Sequence, residues 1–330
     1  MQTEINEHNF SDFRGVRRKK FFAKFLILSS TFLIVGISLY LGLKTFRQTN
    51  KSAAEKIPGL NQQIKSQKDI SSKSDENGLI KITAEVISLQ NAVELYYKNF
   101  GIKLSIIRSS DQLDKSGLKY NGWVESTTNN DDTVLAVTVA IYKEWQKYPA
   151  GFLQKVGLKQ VAVVGKINNS GNNVAAMPRA EDKDVVYFST LFGTDSYIKR
   201  VAHHELDHLI EYNAHGSYYY ADPGYASCNK PGFVYGTGGL AAYSGTGLNS
   251  YTRHPVEGLI DGYATYGIEE DKAEVYTELW ANIGVLNQLS STDSRLECKK
   301  QAYLKFLQTF DPNISEEFLA KLPAVATLTN

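Results

Sequence analysis

The sequence predicts an α+β domain over residues 79–330, a small mixed sheet supporting two long helices, preceded by one transmembrane helix at 25–43. Three observations carry this. Ile198, Val201, Ala202, Leu206, Leu209 and Ile210 fall at helical spacing. Val275, Leu279, Ile283 and Leu286 repeat the pattern in a second helix that opens on an acidic turn. Short β-branched runs at 102–108, 158–166 and 184–190 are interleaved with helical stretches, as in a mixed α and β domain.

Composition agrees with a folded chain: of 330 residues, 42% are apolar and 22% charged. A formal net charge of +1 gives no electrostatic basis for a nucleic-acid partner. Two cysteines, Cys228 and Cys298, are too few for a disulfide scaffold. Outside the cell they form one bridge joining the stretch after the histidine helix to a C-terminal helix. Otherwise they are two buried thiols, and the sequence leaves both readings open.

Residues 25–43 (FLILSSTFLIVGISLYLGL) carry no charge and approach the roughly 20 residues that cross a bilayer. The run is longer than the ~7–15-residue apolar segment of a cleaved signal peptide, and no small-x-small site follows it closely. It reads as an uncleaved anchor. Arg14, Arg17, Arg18, Lys19 and Lys20 precede it, so the tail 1–24 is expected in the cytoplasm and the domain on the outer side. Residues 44–78, rich in Lys, Gln, Ser and Asn, cannot bury a core and read as a polar linker.

In the globular part a helix is expected at 79–99, a strand at 102–108 and a loop-rich stretch at 109–132. A second helix runs over 134–148, stopped by Pro149. A buried strand covers 158–166, followed by the turn-rich NNSGNN, and DVVYFST at 184–190 is a further strand. From 216 to 255 no period is visible, only Tyr, Gly, Ser and Asn. Placed directly after the histidine helix, such a stretch is expected to wall a cleft. Residues 294–322 close the chain with one or two helices.

The chemistry centres on His203-His204-Glu205-Leu206-Asp207-His208. On a helix, His204 and His208 lie one turn apart with Cβ atoms about 5–6 Å from each other, so both imidazoles reach one metal ion. Zinc takes nitrogen ligands at roughly 2.0–2.1 Å and keeps a position for water at catalytic sites. Glu205, next to the first ligand, is placed as the general base. This is the H-E-x-x-H arrangement of zincins. A third protein ligand is required. The extension H-E-x-x-H-x-x-G-x-x-H is ruled out, because Glu211 and Ala214 stand at its Gly and His positions. Residues 226–250 contain no acid. The next acidic cluster is YATYGIEEDKAEVYTE at 263–278, where Glu270 and Glu274 share a helix face one turn apart. One can bind the metal while the other orients a histidine. A solvated acidic cap at a helix N-terminus is the plain alternative.

Tyr263-Ala264 with Glu270, Ala273 and Glu274 resembles the Y-[AG]-x5-E-x-x-A-E segment of gluzincin metallopeptidases of the anthrax lethal-factor type and related bacterial enzymes. The resemblance covers 203–280. It implies a zincin-like fold, Zn2+ held by His204, His208 and Glu270, Glu205 as base and Tyr263 as donor to the oxyanion. Glu274 or Glu269 competes for the role of Glu270, and Tyr266 for that of Tyr263. By the same likeness an edge strand beside the histidine helix takes up extended substrate; 184–190 is the candidate, an interior strand being the other reading. The chain departs from the family at the Gly/Tyr-rich stretch between the two motifs and at Asp271-Lys272. The expectation is a membrane-anchored zinc metallopeptidase cutting a peptide or protein substrate outside the cell. Its rival is a surface binding protein on the same scaffold without turnover.

Overall fold

Helix α1 (Leu89–Phe100) starts where the Ser88 hydroxyl accepts a hydrogen bond from the Asn91 N–H at 3.1 Å. It ends at Gly101, whose φ of +66° suits a residue without Cβ. The computed structural model describes residues 88–115, 124–178, 184–193, 195–244, 250 and 252–326, all within the unit Ser72–Asn330. The tail 1–24, the anchor expected at 25–43 and the linker 44–78 lie outside the described residues. Among the described residues no helix is long and apolar enough to cross a membrane.

After α1 come β1 (Lys103–Ile106), α2 (Ser110–Lys115) and β2 (Val124–Glu125), the last two within the stretch read as loop. Helix α3 (Asp131–Trp145) begins three residues before the expected start. The Asn130 side chain caps the Thr133 N–H at 2.9 Å, and Asp131 and Asp132 favour the first turn. Then follow α4 (Phe152–Lys155), β3 (Gln160–Val164), β4 (Lys166–Asn169), β5 (Asn172–Val174), β6 (Ala176–Pro178) and β7 (Val185–Ser189). Ser170 and Gly171, both at positive φ, make the two-residue turn of the β4–β5 hairpin.

Strands β1, β3 and β7 run parallel, and β6 pairs antiparallel with β7 at one edge. Side chains alternate between two buried faces. Val161, Val163, Val186 and Phe188 point into the main core, which also holds Trp145, Leu206 and Trp280. Ala162, Val164, Val185 and Tyr187 face Val124 and Ile167 of a second, three-stranded sheet ordered β2-β4-β5. The 184–190 strand is therefore interior, correcting its candidacy as the edge: a run that is apolar on both faces is covered on both faces. The edge next to it is β6, only three residues long and ending on Pro178, a residue tolerated at edges because it lacks an N–H.

The rest is helical: α5 (Asp195–His215), α6 (Pro223–Ala226), α7 (Ile268–Ser290), α8 (Ser294–Gln308) and α9 (Glu316–Ala320). Helix α7 breaks at Asn282 (φ −161°, ψ 75°). There the Asn282 amide donates to the Val325 carbonyl at 3.2 Å, and the Val325 N–H donates to the Ala281 carbonyl at 2.7 Å.

The aperiodic stretch after α5 contains α6 and a 3-10 turn at Gly239–Ser244, and it is firmly anchored. Lys272 Nζ donates to the Tyr220 carbonyl at 2.8 Å, and the Tyr235 hydroxyl to Asp271 Oδ2 at 2.6 Å. Asp271 is also paired with Lys299 at 2.6 Å, and Lys272 with Glu211 at 2.7 Å; both lysines are buried. A disulfide joins Cys228 to Cys298 of α8, which settles the pairing the sequence left open. It spans a sequence separation of 70, for which loop-closure entropy gives about 4 kcal/mol. The double replacement Cys228→Ala, Cys298→Ser is expected to lower the unfolding free energy by about 2–4 kcal/mol, measured by urea denaturation against the oxidised protein.

Candidate metal centre

Helices α5 and α7 lie antiparallel and meet in three polar rungs, each one helical turn from the next. His208 faces Glu270, with Nε2 and Oε2 3.5 Å apart. His204 faces Glu274, Nδ1 to Oε1 2.9 Å, and also reaches Glu270, Nε2 to Oε2 3.0 Å. Arg200 faces Glu278 at 2.6 Å. The four-residue steps 200, 204, 208 on one helix run against 278, 274, 270 on the other, so a single register builds all three contacts.

At the first two rungs the Nε2 atoms of His204 and His208 lie 3.2 Å apart, and each faces the same Glu270 oxygen. A tetrahedral shell with bonds of roughly 2.0–2.1 Å has donor–donor edges of about 3.3 Å. The three observed edges, 3.0, 3.2 and 3.5 Å, bracket that value. The group His204, His208 and Glu270 can hold a metal ion. Glu274 takes the other nitrogen of His204 and so leaves Nε2 aimed at the shared centre, the usual means by which a carboxylate orients a metal-binding imidazole. Glu274 is hydrogen-bonded in turn to Asp261.

Electrostatics follow the same contacts. Burial lowers the His204 pKa, but the hydrogen bonds and charges of Glu270 and Glu274 outweigh it and hold the ring well above its ordinary value. Burial works to raise Glu270, yet the charge of His208 and the hydrogen bond from His204 keep it well below the usual carboxylate range. Glu205 binds neither ring; burial pushes it up to about 7, with His204 and His208 opposing and Glu270 adding to the rise. Neighbouring His203 is a different case. It is fully buried, its Nδ1 accepts from the Tyr148 hydroxyl at 2.6 Å and its Nε2–H donates to Glu144 at 3.0 Å. Burial drives it down to about 4, so it is a neutral core histidine.

His204, Glu205, His208, Glu270 and Glu274 line a cleft of about 530 Å³. One wall is β6, Ala176–Pro178. Another part of the lining comes from the aperiodic stretch, with Tyr218, Tyr219, Leu240 and Tyr243. Gly239 presses against the centre: a Cβ there would meet Glu270 Oε1 at 1.9 Å and the Tyr263 hydroxyl at 2.7 Å. Tyr263 thus stands beside the ligand carboxylate, and its ring lies 5.7 Å from that of His204. Burial and the charge of Glu270 hold its pKa well above the ordinary value, so the hydroxyl keeps its proton and can donate. Tyr266 does not line the cleft; its carbonyl accepts the Gly238 N–H at 2.7 Å and so holds the wall. Glu269 does line it, but its carboxylate lies against Gly267 and Gly238, outside the donor group.

Sequence reasoning passed over Arg200, Glu278, Asp261, Gly239 and Arg253. For the first two a signal was present: R-x3-H-x3-H opposite E-x3-E-x3-E, two stripes of the same period. Compared with known proteins, the chain matches no family model, no curated protein and no solved structure.

By mass spectrometry of its metals the purified chain is expected to carry a single divalent ion, removed by chelation. Glu270→Gln should abolish that binding, and Glu274→Gln should weaken it about 10–100-fold in a competition titration, as loss of an orienting partner does. Gly239→Ala should also weaken it, by displacing Glu270.

Proposed function

We propose that this chain is a zinc-dependent metallopeptidase, anchored in the membrane by residues 25–43 with its folded part outside the cell. The observation that carries the reading is the convergence of two imidazoles and one carboxylate at tetrahedral spacing, with an uncoordinated Glu205 beside them in an open cleft. Two histidines and a glutamate form a donor set that suits zinc. The resemblance of 263–274 to the gluzincin segment agrees with it. The Cys228–Cys298 disulfide supports an oxidising location.

A zinc ion bound there supplies Lewis acidity, polarising a carbonyl oxygen and lowering the pKa of water. The chain's own residues do the rest. Glu205, beside the donor group and outside it, accepts a proton from the attacking water and returns it to the departing amine. Tyr263, protonated beside the centre, donates to the negative charge that develops on the carbonyl oxygen. Strand β6 has a neighbouring strand on one side only, among the described residues, and lies along the cleft. An extended peptide can pair with it through main-chain hydrogen bonds, leaving alternate side chains to meet the tyrosine wall.

A digest of mixed peptides by the zinc-loaded chain should yield cleavage that chelation stops and added zinc restores. Glu205→Gln should keep its zinc and lose hydrolysis; undiminished cleavage by that variant would end the proposal. Tyr263→Phe is expected to lower kcat about 10²–10³-fold, read in steady-state assays of one chosen peptide.

A further inference from the structure

Two cleft arginines, Arg200 and Arg253, have no part in the chemistry above. The Glu278 carboxylate is held by two guanidinium groups. Arg200 forks onto it, Nη2 to Oε1 at 2.6 Å and Nη1 to Oε2 at 3.4 Å, and Arg253 adds Nη1 to Oε1 at 2.8 Å. Two guanidinium groups thus share one carboxylate, with Glu274 and Asp261 acting on Arg200 as well. Arg200 is the buried partner, its side chain 8% exposed; Arg253 lies on the cleft with 31% exposed. Among the described residues, Glu278 takes one of the five N–H donors that the Arg253 guanidinium carries, and part of that planar fork faces the cleft.

The mount of Arg253 is rigid. It pairs with Asp261 in a β-bridge, the His254 N–H donates to the Ile260 carbonyl at 2.7 Å, and the Gly262 N–H to the Thr252 carbonyl at 2.9 Å. His254 itself sits at φ +45°, in the left-handed region that costs a non-glycine residue energy. Its ring holds it there: Nδ1 donates to the Leu259 carbonyl at 2.8 Å and Nε2 lies 3.5 Å from Asp293. Asp293 also receives the Gly258 N–H at 2.5 Å. Strain enforced from several sides beside a half-buried cation on the cleft is what a fixed recognition group needs; a guanidinium that merely neutralised Glu278 would duplicate Arg200.

We infer that Arg253 is a specificity-determining residue that binds a substrate carboxylate near the bond to be cut. Its rung lies one turn, about 6 Å, beyond His204, and an extended chain advances about 3.3 Å per residue, which puts the carboxylate about two residues away. An Asp or Glu side chain or a free C-terminus offers the same bidentate chemistry. The inference rests on the metallopeptidase reading for its substrate, though not for the carboxylate binding itself.

The test uses the full chain in detergent, zinc-loaded, with two peptide sets. One set differs only in Glu against Gln two residues from the cleaved bond, and the other in a free against an amidated C-terminus there. In the wild type one of the two carboxylates is expected to raise kcat/KM about 10- to 100-fold over its neutral match, and which set shows it identifies the source. Arg253→Gln should bring that ratio close to one, and Arg253→Lys should recover part of it. The same peptides are then titrated by fluorescence anisotropy onto Glu205→Gln, with and without Arg253→Gln. Carboxylate-dependent binding that vanishes in the double variant, without any cleavage by the wild type, upholds Arg253 and defeats the peptidase reading. Equal handling of charged and neutral peptides by the wild type, or a preference that survives in a folded Arg253→Gln, overturns the inference.

Discussion

Three stacked contacts between two antiparallel helices hold the rest of the molecule to its purpose. Arg200 with Glu278, His204 with Glu274 and His208 with Glu270 are one register expressed three times. The outermost is a buried ion pair, and removing Glu278 would leave the buried Arg200 guanidinium without its carboxylate, at a cost of about 3–5 kcal/mol. That penalty resists any slip of α7 along α5. With the register fixed, the two inner contacts bring three donor atoms to the spacing of a metal shell. Apolar packing of the same helices supplies adhesion but not register, since Leu206 or Leu279 tolerates small sliding in a way that a forked guanidinium does not.

The opening turn of α7 divides its work residue by residue. Glu270 turns inward to the donor group, while Asp271 and Lys272 turn toward the aperiodic stretch and tie it down through Tyr235 and Tyr220. The cleft wall and the donor carboxylate are thus carried by one turn of one helix. Gly239 completes the arrangement from the wall's side, since the main chain there lies where any larger residue would strike Glu270.

Much of the centre was legible in the sequence because it obeys a period. His204 and His208 on an apolar-striped helix, and Glu270 and Glu274 on another, are visible as i, i+4 pairs. Which glutamate faces both imidazoles depends on how two distant helices are phased, and spacing within either one says nothing of that. Arg253 and Gly239 come from a stretch without a period, so their placement is decided by tertiary anchors alone. Strand β6 was invisible for a related reason: three residues are too few to show alternation. In 184–190 the uniform apolar run was compatible with edge or interior, and burial of all five strand residues decided for the interior.

The break in α7 at Asn282 has a bearing on how the molecule can be handled. The interrupted helix leaves the Ala281 carbonyl to be satisfied by Val325, so a segment close to the C-terminus acts as a plug in the helix that carries Glu270, Glu274 and Glu278. Shortening the chain ahead of Val325 would strip a buried carbonyl of its partner, at about 1–3 kcal/mol, three residues from the outermost ion pair. Purification handles and reporter fusions on that side therefore need a spacer long enough to leave the plug seated.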